Sequence, residues 1–399
     1  VSVHDKRIEK ALNWLIANPE PRTYTLGFAA SAMAIAARKA GGTEAVKYQQ
    51  CLEKYVRALC ASVRASGHPY VLQDSMGSLS NDHIGALGLW AGVRNRVEVP
   101  TNYWRFATKH WTRLQHDDGG WPYVRGKDKR TSFANDKKSP SVSMTAGGLA
   151  TLYVCNDILN AEQFLGCGGN EISPAIQKGL GWMEKNYGRL FKKSHGERMI
   201  TYTLYAVERT ALACGYRSFG GYDWYNTGCE YLFKNQRKDG AFITGSKGKF
   251  RGDTYVAPTS FALLFLVRGR QPVAISKLRY KGDWNNRPRA MAYLTRWMSR
   301  EFEQDFNWQI IRIDTDVNNW HDSPILVITG SRKPDFSDEH IEKLRRYVYQ
   351  GGMIVSVAEC GGKPFGDGMM TAYKKMFPDY AVLDVGKHEM RTKEVLFDI

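Results

Sequence analysis

Apolar positions along residues 5 to about 268 recur with the period of an α-helix, and the helical stretches come in pairs. The periodicity predicts helices over 5–17 and 24–40, 44–65 and 79–95, 101–115 and 142–158, 173–187 and 199–214, and 222–236 and 257–268. First members are amphipathic: Ile8, Leu12 and Leu15 share one stripe, as do Tyr225, Cys229 and Leu232, with charge on the opposite face. Second members are richer in glycine and alanine, as in Gly27-Phe28-Ala29-Ala30, Gly85-Ala86-Leu87-Gly88-Leu89 and Ala146-Gly147-Gly148-Leu149-Ala150. Small residues let a helix pack closely on several neighbours, so the second members are expected to form an inner layer inside the first.

The pattern changes at Pro272. Lys277-Leu278-Arg279-Tyr280 reads as a strand, and a helix carrying Leu294, Trp297 and Met298 follows Asp283-Trp284-Asn285-Asn286-Arg287-Pro288. Ile325 to Thr329 is a short apolar strand, Asp338 to Tyr349 an amphipathic helix stopped by Gly351-Gly352, and Met353 to Val357 a second strand. Strand, helix, strand with a glycine hinge predicts a parallel β-α-β unit. Two domains are therefore expected, a helical one over 1–271 and a smaller α/β one over 272–399 that ends incomplete.

Two of the predicted outer helices are followed by one signature. Gln115-His116-Asp117-Asp118-Gly119-Gly120-Trp121 and Gln236-Arg237-Lys238-Asp239-Gly240-Ala241-Phe242 both read Q-x-x-D-G-x-aromatic. The Asp-Gly pair makes a turn that ends the helix, and the ring packs over it. The first copy resembles the Gln-Trp motif of squalene and oxidosqualene cyclases. The resemblance implies an all-α toroid, an (α/α) barrel of the terpenoid-cyclase and prenyltransferase type, with five hairpins visible of about six. The sixth is expected upstream of Val1 or in an irregular stretch.

The remainder resembles a second family. Phe336-Ser337-Asp338, Leu344-Arg345-Arg346-Tyr347-Val348, Gly351-Gly352 and Phe377-Pro378 are similar to a bacterial domain of unknown function, DUF4159-like, of glutamine-amidotransferase-like, Rossmann-like or flavodoxin-like fold. Phe261 to Val273, with Lys277-Leu278-Arg279-Tyr280 and Trp284-Asn285-Asn286, resembles the junction in bacterial proteins joining a prenyltransferase/squalene-oxidase-repeat toroid to that domain. This family implies no established activity. Its members are often exported, which implies a periplasmic or cell-envelope location.

Composition narrows the classes. With 399 residues, 43% hydrophobic and 24% charged, the chain has material for two cores. No apolar run reaches 18 residues, which excludes a single helical span of a membrane. Val1-Ser2-Val3-His4 lacks the plan of a secretion signal and reads as trimmed from a longer precursor. The seven cysteines are scattered through apolar patterns and read as buried thiols. No C-x-x-C, H-E-x-x-H or His/Cys cluster occurs, so no metal and no cofactor are expected.

Candidate chemistry is sparse. Class II cyclases protonate an alkene with D-x-D-D; here only Asp314-Thr315-Asp316 comes near, and it lacks the last acid. Asp223-Trp224-Tyr225 has tyrosine where prenyltransferases place a zinc-binding cysteine, so isoprenoid chemistry is not expected. Gly166-Cys167-Gly168-Gly169-Asn170-Glu171 resembles the thioester segment of complement-like proteins but lacks its glutamine. Cys360 follows a predicted strand and His388 lies downstream, the order a Cys-His hydrolase of amidotransferase type requires; an inert cysteine is the alternative.

Polar residues on the inner helices say more. Asn81 and His83 open one, Tyr202, Tyr205, Glu208 and Arg209 share part of another, and Thr259 opens a third. If inner helices line a cavity, these groups form a polar, aromatic ligand pocket; helix capping and local ion pairing are the alternative. The formal charge is +16, and the connections from outer to inner helices carry much of it: Lys127, Lys129 and Arg130, then Lys192 and Lys193, then Lys247, Lys249 and Arg251. Hairpin topology puts these connections at one end, which predicts a basic rim for an acidic glycan, lipid head group or acidic protein. Nucleic acid is not expected, since no recognition motif occurs. The expected function is a binding scaffold presenting cavity and rim to an anionic partner. The alternatives are a lyase on acidic polysaccharide using Tyr205 or His83 beside Arg209, and a Cys360 hydrolase.

Overall fold

The computed structural model describes residues 2–123, 125–126, 139–160, 172–192, 199–242, 255–269 and 271–383. The chain divides into two compact units that change over between Gln271 and Pro272. Among the described residues no helix is long and apolar enough to cross a membrane.

The first unit is built from α1 (Lys6–Ala17), α2 (Thr23–Lys39), α3 (Gly42–Ser62), α4 (Leu79–Arg94), α5 (Thr101–Arg113), α6 (Val142–Leu159), α7 (Pro174–Asn186), α8 (Ile200–Cys214), α9 (Trp224–Lys234) and α10 (Val256–Gly269). These bounds lie within a turn of the hairpin arms that the periodicity predicts. Polar caps start several of them: Asp5 accepts from the Arg7 N–H, Ser141 from Met144, and Asp223 from Tyr225 and Asn226.

Odd and even helices differ in what they bury. In α6 every residue from Val142 to Asn156 is buried, whereas α5 buries one stripe of Tyr103, Trp104, Ala107, His110 and Trp111. The even helices pack in sequence, α2 on α4, α4 on α6, α6 on α8 and α8 on α10; α3 lies against α2 and α4, α5 and α7 against α6, and α9 against α8 and α10. Small residues set how close they come. A Cβ added to Gly88 would lie 2.7 Å from the Gly27 Cα, so the backbones of α2 and α4 touch. By contrast α2 meets α10 through two rings, Phe28 and Phe261, edge to face with centroids 5.7 Å apart. Each buried Leu, Phe or Met side chain in this core contributes roughly 1.5–3 kcal/mol.

Both copies of the Q-x-x-D-G motif take one conformation. Gly119 and Gly240 sit at φ 95° and 84°, where a side chain would be strained. Gln115 Nε2 donates to the Gly119 carbonyl at 2.8 Å and Gln236 Nε2 to Gly240 at 2.9 Å. The Trp121 N–H donates to Thr145 Oγ1, and the Phe242 N–H to Thr259 Oγ1, each at 3.1 Å. The first copy also reaches α7: Gln115 donates to the Ala175 carbonyl and Trp182 Nε1 to Asp118.

Two short ribbons join the connections. β1 (Gly77–Ser78) pairs antiparallel with β2 (Arg125–Gly126), bringing the α3–α4 and α5–α6 connections together. β3 (Ser218–Phe219) pairs with β4 (Tyr222–Asp223) ahead of α9.

The second unit holds a parallel sheet. In chain order come β5 (Val273–Arg279), α11 (Ala290–Glu301), β6 (Asn307–Arg312), β7 (Ile325–Gly330), α12 (Asp338–Tyr349), β8 (Met353–Ala358) and α13 (Lys363–Met376). Spatial order is β6-β5-β7-β8, with Lys277 opposite both Ile310 and Val327, and Ile325 opposite Met353. Leu278, Ile311, Leu326 and Ile328 pack on one face against Leu344, Tyr347, Phe365 and Met369. The predicted β7, α12 and β8 are present. β6 and α13 are additions; α13 carries Pro364 in its first turn, where a missing N–H costs nothing.

Candidate functional site

The first turn of α4 places two polar clusters back to back. Ser80, Asn81, Asp82 and His83 are all buried there. Successive residues on a helix point about 100° apart, so Asp82 and His83 serve different neighbours.

His83 faces α8 and α6. Its Nδ1 lies 3.2 Å from the Tyr202 hydroxyl, and its ring centroid 6.4 Å from that of Tyr205. The Tyr24 hydroxyl interacts in turn with those of Ser80 and Tyr202. Near Tyr24 the Tyr70 and Tyr123 hydroxyls share a hydrogen bond of 2.7 Å. Tyr24, Tyr70 and Tyr123 are half-buried, so the cluster reaches solvent on the side where the two connections meet. Phe28 and Phe261 close it laterally against Tyr205, with centroid separations of 5.8 and 5.5 Å. Further along α8, Glu208 and Arg209 lie 3.9 Å apart, and the Arg209 guanidinium stands 5.7 Å from the Trp90 ring centroid.

Protonation follows from this crowding. Burial pushes the His83 imidazole down to about 3, with the Arg209 charge acting in the same direction. Burial likewise drives the Tyr24 and Tyr202 hydroxyls far up. At neutral pH all three are uncharged hydrogen-bonding groups. A base that protonates only near pH 3 removes protons poorly at neutral pH, so the cluster is equipped to hold polar groups more than to move protons. His83 Nε2, Asn81 Nδ2 and Thr201 Oγ1 are buried without a hydrogen-bond partner among the described residues.

Asp82 faces the other way. Its carboxylate accepts from the His68 backbone N–H at 2.5 Å and bonds His110 Nε2 at 3.1 Å, while His68 Nε2 meets the Tyr103 hydroxyl at 3.0 Å. All four residues are buried. Burial lowers His68 to about 4 despite the Asp82 charge. This network ties the α3–α4 connection to α4 and α5. Neither His68 nor His110 stands out in the sequence.

Of the predicted site residues, His83, Tyr202 and Tyr205 converge, with Asn81 in the same turn and Glu208 and Arg209 deeper along α8. Thr259 does not join them; it anchors the second Q-x-x-D-G turn as Thr145 anchors the first. Tyr24, Tyr70 and Tyr123 were missed, although Tyr24 opens α2 as Tyr202 opens α8. Asp314 pairs with Arg312 at 2.6 Å and Asp316 caps the following turn, so they form no acid cluster.

Cys360 requires a correction. It is disulfide-bonded and solvent-exposed, so its sulfur is neither a buried thiol nor a nucleophile in this state. Arg287 Nη2 contacts the sulfur at 3.0 Å. Cys51, Cys60, Cys155, Cys214 and Cys229 are not disulfide-bonded. Lys192 is exposed. His388, Cys167, Lys127, Lys129, Arg130, Lys193, Lys247, Lys249 and Arg251 lie outside the described residues. Among the described residues no trio of His, Cys, Asp or Glu has metal-binding geometry. A separate groove of about 470 Å³ between α2 and α3 is lined by Ile16, Leu26, Lys47, Lys54, Tyr55 and Leu72, and carries no comparable cluster.

No curated protein matches the chain. Residues 274–398 match the family model described as Domain of unknown function (DUF4159), a stretch that starts on β5 and so takes in the parallel sheet and leaves out the helical unit.

Proposed function

We propose that the protein is a binding scaffold whose helical unit is an α/α toroid, five hairpins of which lie among the described residues, and that the mouth formed by Tyr24, Tyr70, Tyr123, Tyr202 and His83 receives an acidic glycan. The observation that carries this is the half-buried Tyr70–Tyr123 hydroxyl pair near Tyr24, whose hydroxyl interacts with that of Tyr202, at the end where the α3–α4 and α5–α6 connections meet. Neutral phenols offer flat rings to sugar faces and donor–acceptor hydroxyls to sugar hydroxyls. The basic residues of the outer-to-inner connections supply the charge that a uronate or sulfate group needs. Binding fits the site better than lyase chemistry, because burial leaves the imidazole a weak base and keeps the phenols from ionising.

Calorimetric titration of the intact chain with polygalacturonate and heparin tests the reading. Affinity is expected to fall steeply between about 50 and about 300 mM salt, as screening shortens the reach of charge. The Tyr70→Phe/Tyr123→Phe variant is expected to bind about tenfold more weakly, the cost of a lost hydrogen bond or two. Binding that ignores both salt and the tyrosine changes, or no binding to either polyanion, would sink it.

A further inference from the structure

The carboxyl ends of β5, β7 and β8 gather polar side chains that play no part in the tyrosine mouth. Asp283, in the turn after β5, accepts from the Ser331 N–H at 2.9 Å, the Arg332 N–H at 3.1 Å, Asn286 Nδ2 at 3.2 Å, and the Ser331 hydroxyl. Burial works to raise its pKa, and the hydrogen bonds from Ser331 and Asn286 outweigh that, holding the carboxyl below its ordinary value. One ionised carboxylate thus fixes the loop after β5 against the loop after β7.

Lys277 comes to the same turn from inside the sheet. It is 1% exposed, and its Nζ donates to Asn285 Oδ1 at 3.1 Å and the Arg287 carbonyl at 3.2 Å. An ammonium has three N–H groups, so these bonds use two of them. The Nζ also stands 5.7 Å from the centroid of the half-buried Trp284 ring. Glu359, at the end of β8, is 6% exposed, and its Oε2 is buried with no hydrogen-bond partner among the described residues. It follows Ala358, which lies opposite Gly330 at the end of β7, the strand that pairs with β5, and its charge acts on both Lys277 and Tyr280. A buried carboxylate oxygen without a donor costs several kcal/mol, so the arrangement calls for one.

Strand order adds an independent reason. In β6-β5-β7-β8 the chain leaves β5 in one direction and returns past it to build in the other, and open parallel sheets bind ligands outside the strand ends where that reversal occurs. Lys277, Asp283 and Ser331 flank that reversal.

We propose that this crevice binds a small polyhydroxylated ligand, one hydroxyl of which donates to Glu359 and accepts from Lys277 while its ring face rests on Trp284. A hydroxyl serves both neighbours because it donates and accepts. A phosphate or carboxylate in the same place is repelled by Glu359, and an ammonium by Lys277.

Saturation-transfer NMR on the intact chain, with D-glucose and myo-inositol as probes, decides the matter. Saturation is expected to reach the ring protons of at least one probe, and Glu359→Gln and Trp284→Ala are each expected to weaken binding about tenfold or more. The Tyr70→Phe/Tyr123→Phe variant keeps this signal, which separates the crevice from the glycan mouth. Glu359→Gln preserves side-chain volume; should it fail to fold by circular dichroism, Trp284→Ala carries the test. No transfer to either probe, transfer indifferent to both crevice changes, or transfer lost only in the tyrosine variant each overturns the proposal.

Discussion

Asp82 and His83 are neighbours on α4 and equally buried, yet their surroundings differ in kind. Around Asp82 the polar groups answer one another: a carboxylate, a backbone N–H, two imidazoles and a phenol form one network spanning the α3–α4 connection, α4 and α5. Around His83 one hydrogen bond reaches Tyr202, whose hydroxyl interacts with that of Tyr24, and Tyr24 lies near the half-buried Tyr70–Tyr123 pair. Both regions leave ring nitrogens without a partner among the described residues, His68 Nδ1 and His110 Nδ1 in the first and His83 Nε2 in the second. The difference lies in where the bonds lead: the first network closes on the fold, and the second opens toward half-buried hydroxyls. Burial of polar groups alone therefore says little about function; where their hydrogen bonds lead says more.

The sharpest way to break this contrast is to remove Asp82. Asp82→Ala strands the His68 N–H and the His110 ring inside the protein, and is expected to cost about 3–5 kcal/mol in urea unfolding followed by tryptophan fluorescence. A loss below about 1 kcal/mol would mean that the network is no clamp.

Acid provides a smaller, graded probe. His68 and His83 protonate near pH 6.5 in the unfolded chain, but only near 4 and 3 in the folded one. Between those limits the unfolded state binds more protons, so stability is complete above about pH 6.5 and falls as the pH drops toward 4. Urea midpoints at pH 7 and pH 5 are expected to differ, and His68→Gln to reduce the difference. Identical midpoints would show that neither imidazole is held neutral by the fold.

The smallest effect belongs to His83. His83→Phe fills similar volume and removes an unpartnered nitrogen, so stability is expected to shift by less than about 1.5 kcal/mol in either direction. The same change should weaken polygalacturonate binding severalfold in the titration above. Stability falling as far as in Asp82→Ala would erase the distinction between the two regions.

The helical unit was legible because glycine and alanine mark helices crowded on all sides, and charge marks those with a free face; α4 and α6 declare themselves this way. The sheet was legible where glycine bounds a short apolar run, Gly330 at the end of β7 and Gly352 before β8. β6 was not, because Asn307-Trp308-Gln309 interrupts its apolar pattern, nor was α13, which has a proline in its first turn. In the helical cluster, residues on helix openings were visible as polar breaks in apolar stretches, which is how His83 and Tyr202 were found. Tyr70 and Tyr123 come from connections, whose meeting depends on the β1–β2 pairing and has no periodic signal. Lys277 was hidden for a different reason: a lysine in a strand reads as solvent-facing, and only the turn carrying Asn285 and Arg287 shows why it is drawn inside.

The two sides of α2 are joined very differently. Toward α4 the main chains touch at Gly27 and Gly88, a joint with no side chains left to rearrange. Toward α10 two phenyl rings, on Phe28 and Phe261, meet edge to face and slide past one another at little cost. The helical unit thus has one joint of main chain and one of side chains, and heat or denaturant is expected to loosen α10 before it reaches the pair of helices that share a backbone seam.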